Sequence, residues 1–168
     1  MQRIDIFDTV PSDIAQITAI YGEAVNNGTA SWEYDPPNAN EMQSRFDGII
    51  AGGFPHIVAK IGSKVAGYAY ANSYRTRIGY RFCVEDSIYV DPHFHGKGIG
   101  CLLLQKLIGE CTARGFKQMV AVIGDAENHA SIRLHEKCGF VHVGRLQKIG
   151  YKFDKWLDSV IMQRDLFV

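Results

Sequence analysis

The sequence has no excess of charge of either sign. Its 168 residues include 18 basic and 18 acidic side chains, so the formal net charge at pH 7 is zero with neutral histidines. A chain without a net positive field has no general means of gathering nucleic acid or an acidic membrane surface. We therefore expect no nucleic-acid partner, and any anion site must be local.

Long apolar runs and paired cysteines are also missing. No segment approaches the ~18 apolar residues of a membrane span, and the opening MQRIDIFDTV lacks the apolar core of a signal peptide. The four cysteines, Cys83, Cys101, Cys111 and Cys138, form no C-x-x-C pair. Their spacing is unlike a disulfide framework or a zinc site. We expect reduced thiols, no metal, no membrane contact and a cytoplasmic protein.

The chain does have enough apolar material, 46% of its residues, for one core, and no linker or repeat divides it. We therefore predict a single domain over residues 1–168. Strands are predicted at RIDIF, HIVAKI, KVAGYAYAN, FCVEDSIYV, KQMVAVIG, VHVGRL and DSVIMQRDL, and helices at DIAQITAIYGEAV, NEMQSRFDGIIA, IGCLLLQKLIGECTARG and NHASIRLHEKCGF. Helices alternating with strands, plus a hairpin at Gly62-Ser63, indicate an α/β fold with a mixed sheet of about seven strands and four helices.

Local signals also predict where helices begin and which side they bury. Ser12 is expected to cap the first helix and Asn40 the second, because short polar side chains accept hydrogen bonds from free N–H groups. The third helix is expected to bury one stripe, made of Ile99, Leu102, Leu103, Leu107 and Cys111.

The stretch HFHGKGIG, residues 93–100, lies between a predicted strand and a predicted helix. Its spacing fits neither the G-x-x-x-x-G-K-[S/T] phosphate loop nor the G-x-G-x-x-G dinucleotide loop, and its two histidines lack a third metal ligand nearby. A plain tight turn is one interpretation. Three glycines at a helix N-terminus, however, favour a phosphate or pyrophosphate, with Lys97 as an additional charge.

These residues also resemble a known family. VDPHFHGKGIGCLLL resembles the pyrophosphate loop of the GNAT N-acetyltransferases, Q/R-x-x-G-x-G/A, with His95 standing where the family usually has Gln or Arg. ENHASIRLHEKCGF is similar to the family segment N-x-x-S-x-x-L-Y-x-K-x-G-F, and VEDSIYV resembles its fourth strand. The resemblance covers nearly the whole chain and implies the GNAT fold, a mostly antiparallel mixed sheet, with acetyl-CoA as cosubstrate.

A narrower resemblance involves five separated segments. TASWEYDPP, VEDSIYV, AVIG, SIRLHEKCGF and GYKFDKWLD resemble the phosphinothricin acetyltransferase branch, which includes enzymes acting on methionine sulfoximine and methionine sulfone. This implies direct acetyl transfer, in a ternary complex, to the α-amine of a small amino-acid analogue, and a homodimer. The alternatives are another amine metabolite, a protein N-terminus, or an inactive acetyl-CoA-binding sensor.

Two residues are predicted to be catalytic. Glu85 lies in an apolar strand and faces away from Asp86, so partial desolvation would raise its pKa and suit a general base. A solvent-facing glutamate or an arginine partner is the alternative, and the resemblance favours a base or a ligand for the substrate ammonium. His135 occupies the position where many relatives have a tyrosine that protonates the thiolate, and a histidine could act there as acid or second base. Cys83 keeps a covalent route formally open.

The resemblance also assigns binding residues. Backbone N–H groups near Ile88 and Val90 would stabilise the oxyanion and bind the pantetheine arm, while Asn128 and Ser131 would contact the arm or cap a helix. Arginine forks between tyrosines would hold a carboxylate, unless that loop is only a solvated basic segment. The predicted cofactor-binding residues are Ile88, Tyr89, Val90, His95, Gly96, Lys97, Gly98, Ile99, Gly100, Cys101, Asn128 and Ser131, and the predicted substrate-binding residues are Trp32, Arg75, Arg77, Tyr80, Glu85, Ser87 and Lys152.

Overall fold

The chain folds into one sheet with helices on both faces. The computed structural model describes residues 3–167, which contain seven strands and four α-helices. The strands are β1 (Asp5–Asp8), β2 (His56–Ile61), β3 (Lys64–Ser73), β4 (Cys83–Val90), β5 (Gln118–Gly124), β6 (Val141–Lys152) and β7 (Lys155–Asp165). The helices are α1 (Ile14–Asn27), α2 (Ala39–Ala51), α3 (Ile99–Ala113) and α4 (His129–Lys137). None of the helices within residues 3–167 has the length and apolarity needed to cross a membrane.

Neighbouring strands run antiparallel except at one place. The order across the sheet is β1-β2-β3-β4-β5-β7-β6, and β4 with β5 is the one parallel pair among the described strands. A parallel pair needs a crossover connection, which α3 supplies. The predicted mixed, mostly antiparallel α/β sheet is confirmed.

Each face of the sheet has its own core. Helices α1 and α2 cover one face around Tyr68, and α3 covers the other around Leu103. Because successive side chains of a strand point to opposite faces, β4 contributes to both layers. Tyr89 packs against the first core, and Val84 belongs to the second.

Strands β4 and β5 separate soon after they meet. Their pairing joins residues 83–85 to residues 118–120 and ends at Glu85. On its other edge β4 stays paired with β3 as far as Val90. The rest of β4 therefore presents backbone groups toward an opening in the sheet.

Both predicted helix caps are wrong, by one residue for α1 and by two for α2. Asn38 rather than Asn40 caps α2, accepting a hydrogen bond from the Glu41 N–H at 3.0 Å. Ser12 lies in a short 3-10 turn, Pro11–Asp13, and α1 begins only after it. Proline favours this first turn because its fixed φ suits the start of a helix.

The predicted stripe of α3 is wrong at one position. Leu102 is 42% exposed, whereas Leu104 is fully buried together with Leu103 and Leu107. The buried face of α3 is therefore rotated by part of a turn relative to the predicted one. In a run of three successive leucines, the sequence does not show which one faces outward.

The last two strands are longer than predicted. β6 and β7 have 12 and 11 residues and are joined at a tight turn where Phe153 and Asp154 adopt positive φ. The polar segment between the predicted strands hid this extension, because most of β6 is exposed and shows no alternation of apolar and polar residues.

Candidate active site

A cavity of about 750 Å³ lies where β4 and β5 separate. It is lined by residues from α1, the loop 28–33, β4, the loop before α3, β5 and α4. A cavity of this size can hold a substrate-sized ligand. Because it occupies the opening in the sheet, side chains from both faces reach it.

The glycine loop forms one end of this cavity. Gly96 and Gly98 have φ of +75° and +79°, a left-handed conformation that a side chain would strain, and Gly98 is the N-cap of α3. The first turn of a helix leaves N–H groups without intrahelical partners, and the helix dipole is positive there. Gly96, Gly98, Ile99 and Gly100 line the cavity, so the loop fits a pyrophosphate.

Lys97 and His95, the two polar residues of the loop, have different surroundings. The Lys97 ammonium lies 4.8 Å from the centre of the Phe94 ring, and Lys97 is not part of the cavity lining. The His95 side chain lines the cavity and donates from Nε2 to the Val90 carbonyl at 2.9 Å, since a carbonyl only accepts. His95 therefore fastens the loop to the end of β4, a contact that the sequence did not predict.

The free edge of β4 continues the cavity from the loop. Ile88, Tyr89 and Val90 all line it, beyond the point where β5 separates. An unpaired strand edge offers N–H and C=O groups in the pattern that an added strand or an extended amide chain can use. This edge fits the amide-containing arm of coenzyme A.

Asn128 and Ser131 lie at the N-terminus of α4, also in the cavity wall. The Asn128 side chain accepts a hydrogen bond from the Ser131 N–H at 3.2 Å and is the N-cap of the helix. Asn128 is therefore the capping residue, and Ser131 belongs to the first helical turn.

Glu85 lines the cavity on the α1–α2 side of β4 and is partly buried. Within residues 3–167 its carboxylate forms no hydrogen bond or ion pair with another side chain. Burial raises the pKa of Glu85, the nearby charge of Asp86 raises it further, and Arg75 opposes the shift. This direction agrees with the expectation for Glu85, and a carboxylate with a raised pKa is a better proton acceptor than an exposed glutamate.

His135 lies on the opposite side of the sheet from Glu85 and is buried in the cavity wall. Its Nε2 is 3.0 Å from Asp86 Oδ2, and its Nδ1 is 2.8 Å from the Ser131 carbonyl oxygen. The Phe140 ring meets the imidazole edge-on at a centroid distance of 4.9 Å. Burial lowers the pKa of His135, but the hydrogen bond and charge of Asp86 outweigh it, and the pKa is raised.

The predicted substrate residues Trp32, Glu85 and Ser87 line the cavity, whereas Lys152 lies behind its wall. The Lys152 ammonium donates to the carbonyls of Gly28 and Ser31 at 2.9 and 2.8 Å. Burial lowers its pKa, and Glu33 partly opposes this. Lys152 thus holds the loop that carries Trp32.

The arginine loop lies outside the cavity lining. Arg75 stacks on its neighbour Tyr74 at 4.6 Å, Tyr80 meets Tyr74 edge-on, and Arg77 precedes a short 3-10 turn at residues 78–80. Arg75 nevertheless acts electrostatically on Glu85. The structure therefore places these side chains outside the cavity wall, and only Arg75 is close enough to Glu85 to affect its pKa.

Two cysteines singled out in the sequence lie away from the cavity lining. Cys101 Sγ is 3.6 Å from Cys138 Sγ, on the side of α3 that meets the end of α4. Cys83 contacts the backbone of its own strand, and burial raises the pKa of its thiol. A thiol with a raised pKa is a poor nucleophile at neutral pH.

Sequence reasoning missed two acidic residues in the cavity wall. Asp86 pairs with His135, and Glu33 forms a two-point ion pair with Arg45 at 2.7 and 3.3 Å. The signal for Asp86 was a charge at an inward position of a buried strand. Glu33 gave no signal, because its loop shows no periodicity.

Comparison with known proteins agrees with this geometry. The family model described as "Acetyltransferase (GNAT) family" matches residues 19–140. The chain therefore belongs to the GNAT family of acetyltransferases, and the predicted family, fold and enzyme class are confirmed.

Particular relatives narrow the comparison. The chain is 46% identical to phosphinothricin N-acetyltransferase of Alcaligenes faecalis over 92% of its own length and 78% of that protein. It is 41% identical to L-methionine sulfoximine/L-methionine sulfone acetyltransferase of Pseudomonas aeruginosa over 96% and 94%. A crystal structure of phosphinothricin acetyltransferase from Sinorhizobium meliloti with acetyl-CoA superposes with a TM-score of 0.94 at 48% identity, covering 98% of this chain and 89% of that one.

Proposed function

We propose that the protein transfers acetyl from acetyl-CoA to the α-amine of a small amino-acid analogue of the phosphinothricin, methionine sulfoximine or methionine sulfone type. One observation carries the proposal. A single cavity contains a glycine loop at a helix N-terminus, an unpaired strand edge, a half-buried carboxylate and a buried histidine. The names of the relatives, which cover most of the chain, support this substrate class.

The backbone supplies the binding and polarising groups. N–H groups from Gly96 to Gly100 would hold the pyrophosphate, and the edge of β4 from Ile88 to Val90 would bind the pantetheine arm as an added strand does. Bound acetyl-CoA supplies the activated acetyl group as a thioester. Backbone N–H groups on that edge would stabilise the oxyanion that forms when the amine attacks.

The side chains move the protons. Glu85 would take a proton from the substrate ammonium, directly or through a water, because its raised pKa lies nearer to neutrality than that of an exposed glutamate. His135, on the other side of β4, would act on the departing sulfur. The two groups therefore work from opposite faces of the sheet on one reacting centre.

Direct transfer in a ternary complex is favoured over an acetyl-cysteine intermediate. Cys83 is the thiol nearest to Glu85 in sequence, but it is absent from the cavity wall and its pKa is raised. No thiolate is therefore offered to the thioester from this position.

Recognition of the substrate would combine an aromatic wall with charges at the rim. Trp32 and Ser87 lie in the cavity wall. Arg75 and Arg77 lie in an exposed loop outside that wall, and their guanidinium groups would bind the substrate carboxylate by two hydrogen bonds. Replacing either arginine with alanine should then mainly raise KM for free amino-acid substrates.

The decisive test is an acetyl-CoA assay with a panel of amines, in which thiol release and the acetylated product are both measured. Phosphinothricin, methionine sulfoximine and methionine sulfone are expected to react faster than other amino acids, amine metabolites and peptide N-termini. A better reaction with a peptide N-terminus would replace the proposed substrate class. No thiol release with any amine would leave only an acetyl-CoA-binding sensor.

Substituting Glu85→Gln tests the proposed base within the same assay. Turnover should fall by about 10²-fold or more, with acetyl-CoA binding unchanged, because the variant keeps the shape but cannot accept a proton. Glu110→Gln is the matched control, since Glu110 pairs with Lys106 on α3, outside the cavity wall. Normal turnover in Glu85→Gln would exclude it as the base.

We further propose that the protein is a homodimer joined through β6. This strand is at the end of the sheet order, and an edge strand with apolar side chains tends to pair with another chain. The exposed large apolar residues on β6, β7 and their turn are Val141, Val143, Leu146, Ile149, Tyr151, Phe153 and Trp156. The molar mass from light scattering should be twice that of the chain, and a Val143→Lys, Ile149→Lys double variant should halve it.

The four cysteines are free thiols, including the adjacent Cys101 and Cys138. Free thiols at this spacing are typical of a reducing compartment. This supports placing the protein in the cytoplasm.

A further inference from the structure

Asp86 is a buried carboxylate that the proposed reaction has not yet used. Its side chain is 2% exposed, and Oδ2 lies 3.0 Å from His135 Nε2. The other oxygen, Oδ1, is buried and has no hydrogen-bond partner among residues 3–167. A buried carboxylate with an unpaired oxygen costs free energy of folding, so its presence in the cavity wall points to a role other than stability.

The contacts of the imidazole determine how many protons the pair holds. The Ser131 carbonyl, 2.8 Å from Nδ1, can only accept, so Nδ1 bears a hydrogen. Without a second proton, lone pairs of Nε2 and Asp86 Oδ2 would face each other at 3.0 Å. The geometry therefore requires a proton between these two atoms.

Few other charges face the pair. Glu85 is next to Asp86 in β4 but points to the other face, and Cys111 and Cys138 approach from α3 and from the end of α4. Burial raises the pKa of both thiols to about 12, so they stay neutral at physiological pH. From β7, Arg164 lies beside Cys138, with a guanidinium nitrogen bonded to the Cys138 carbonyl. From β3 and β5, the facing residues are apolar, including Ala71 opposite Asp86.

We propose that Asp86 is a positioning residue that holds the His135 ring in place with a second proton, so that His135 acts as the acid of the reaction and not as a second base. This inference rests on the proposed acetyl transfer. It assigns acceptance of the amine proton to Glu85 on one face of β4. Donation of a proton to the thiolate is assigned to the Asp86–His135 pair on the other face.

The proton balance of the step is then complete. The amine nitrogen forms a bond to the acetyl carbon, the C–S bond breaks, and its electron pair goes to sulfur. The substrate ammonium gives its first proton to Glu85, which passes it to solvent before the amine attacks, and the nitrogen gives its second proton to Glu85 as the C–S bond breaks. The thiolate takes the proton shared by Asp86 and His135, and solvent protonates that pair again, so one proton is released overall. An unperturbed imidazole with a pKa of ~6.5 is mostly neutral above pH 7, whereas the raised pKa of His135 keeps the acid form available.

Histidine NMR on the unmodified protein tests the pair without any assay of activity. The chain has six histidines, and the spectrum of His135→Gln identifies the missing signal. The His135 ring is expected to keep the chemical shifts of an imidazolium at pH values well above ~6.5, the ordinary histidine pKa. Titration at or below that value would overturn the proposal.

The variant Asp86→Asn tests the consequence for catalysis. The alkaline limb of the kcat–pH profile should move down by about 1–3 pH units, because the ring loses an adjacent opposite charge. The KM for acetyl-CoA should stay the same. Asp13→Asn is the matched control, since Asp13 is equally buried and paired with Lys60 at 2.6 Å, but it lies outside the cavity wall. It should leave the alkaline limb unchanged.

The results separate this inference from the proposed function. An alkaline limb that is the same in Asp86→Asn as in the unmodified protein would overturn the role of Asp86, even with full acetyltransferase activity. If the unmodified protein acetylates no amine, the proposed function fails, and the NMR titration still decides whether Asp86 keeps His135 protonated. The titration also decides the matter if Asp86→Asn does not fold.

Discussion

The protein buries two histidines, one on each face of the sheet, and they have opposite acid–base character. His56 and His135 are 5% and 4% exposed, so burial does not distinguish them. His56 lies among aromatic rings, stacked on Tyr68 and Tyr70 with centroid distances of 5.7 and 5.3 Å, and its Nδ1 is 2.7 Å from Thr9 Oγ1. His135 faces Asp86 instead.

The difference between the two sites is the charge of one neighbour. Burial without a charged partner lowers the pKa of His56 to about 4, and the ring is neutral at all ordinary pH values. Burial also lowers the pKa of His135, but Asp86 reverses the shift. A buried histidine can therefore be part of the core or part of a proton-transfer site, and its partner decides which.

The largest expected effect comes from breaking the charged pair. His135→Phe keeps a ring of similar size but leaves the Asp86 carboxylate buried without a partner, which typically costs about 3–5 kcal/mol. Urea unfolding at pH 7 measures the loss. His56→Phe is the comparison and should cost less, because only a neutral contact to Thr9 is lost.

A double variant checks the cause of this loss. Adding Asp86→Leu to His135→Phe removes the unpaired charge and should recover part of the stability. Equal losses in His56→Phe and His135→Phe would show that the two sites do not differ in the way described.

The second effect concerns the pH dependence of stability. His56 takes up a proton at ~6.5 in the unfolded chain but only near a pKa of about 4 in the folded one. Its stabilising contribution is therefore present above pH 6.5 and is lost as pH falls, by about 2 kcal/mol between pH 7 and 5. Urea unfolding across this range should show the slope, and His56→Phe should make it shallower.

The charged pair should show the opposite sign. Because the folded-state pKa of His135 is raised, its contribution is complete below ~6.5 and is lost as pH rises through the raised value. Stability curves for His135→Phe should therefore be flatter on the alkaline side.

For His56, a free energy of unfolding that falls more steeply at acid pH in His56→Phe than in the unmodified protein would contradict the assignment of a lowered pKa.

The smallest effect concerns the neutral partner of His56. Thr9→Val removes the hydroxyl 2.7 Å from Nδ1 and should cost about 1 kcal/mol, the usual net value of one buried hydrogen bond. Thr9→Ser keeps the hydroxyl and should recover most of the loss in the same unfolding measurement. If Thr9→Ser is the less stable of the two variants, Thr9 contributes through its methyl group instead.

The sequence was sufficient for most of the fold, and the reasons are physical. Strong periodicity marks α1, α3 and the strands that are buried on one or both faces, and the hairpin at Gly62-Ser63 follows from turn chemistry. Precise helix starts were missed at Asn38 because several neighbouring residues can cap. The length of β6 was missed because its exposed residues have no period.

The site was predictable where it depends on backbone spacing and less so where it depends on packing. The glycine loop and the alternation of β4 singled out Glu85, Gly96 and residues 98–100, which line one cavity in the structure. No local signal showed that Lys152 supports a loop from behind, or that Arg75 and Arg77 lie outside the cavity wall. The Asp86–His135 pair joins residues 49 positions apart, and only the folded chain brings them together.

The separation of β4 from β5 leaves an opening in the sheet. Elsewhere the sheet separates the layer formed by α1 and α2 from the layer formed by α3 and α4. At this opening, the proposed mechanism has Glu85 accept a proton on one side and the Asp86–His135 pair supply a proton on the other within the same turnover. Acetyl transfer would thus have a direction relative to the fold. The face of the sheet covered by α1 and α2 would accept the proton from the amine, and the opposite face would supply the proton to the thiolate.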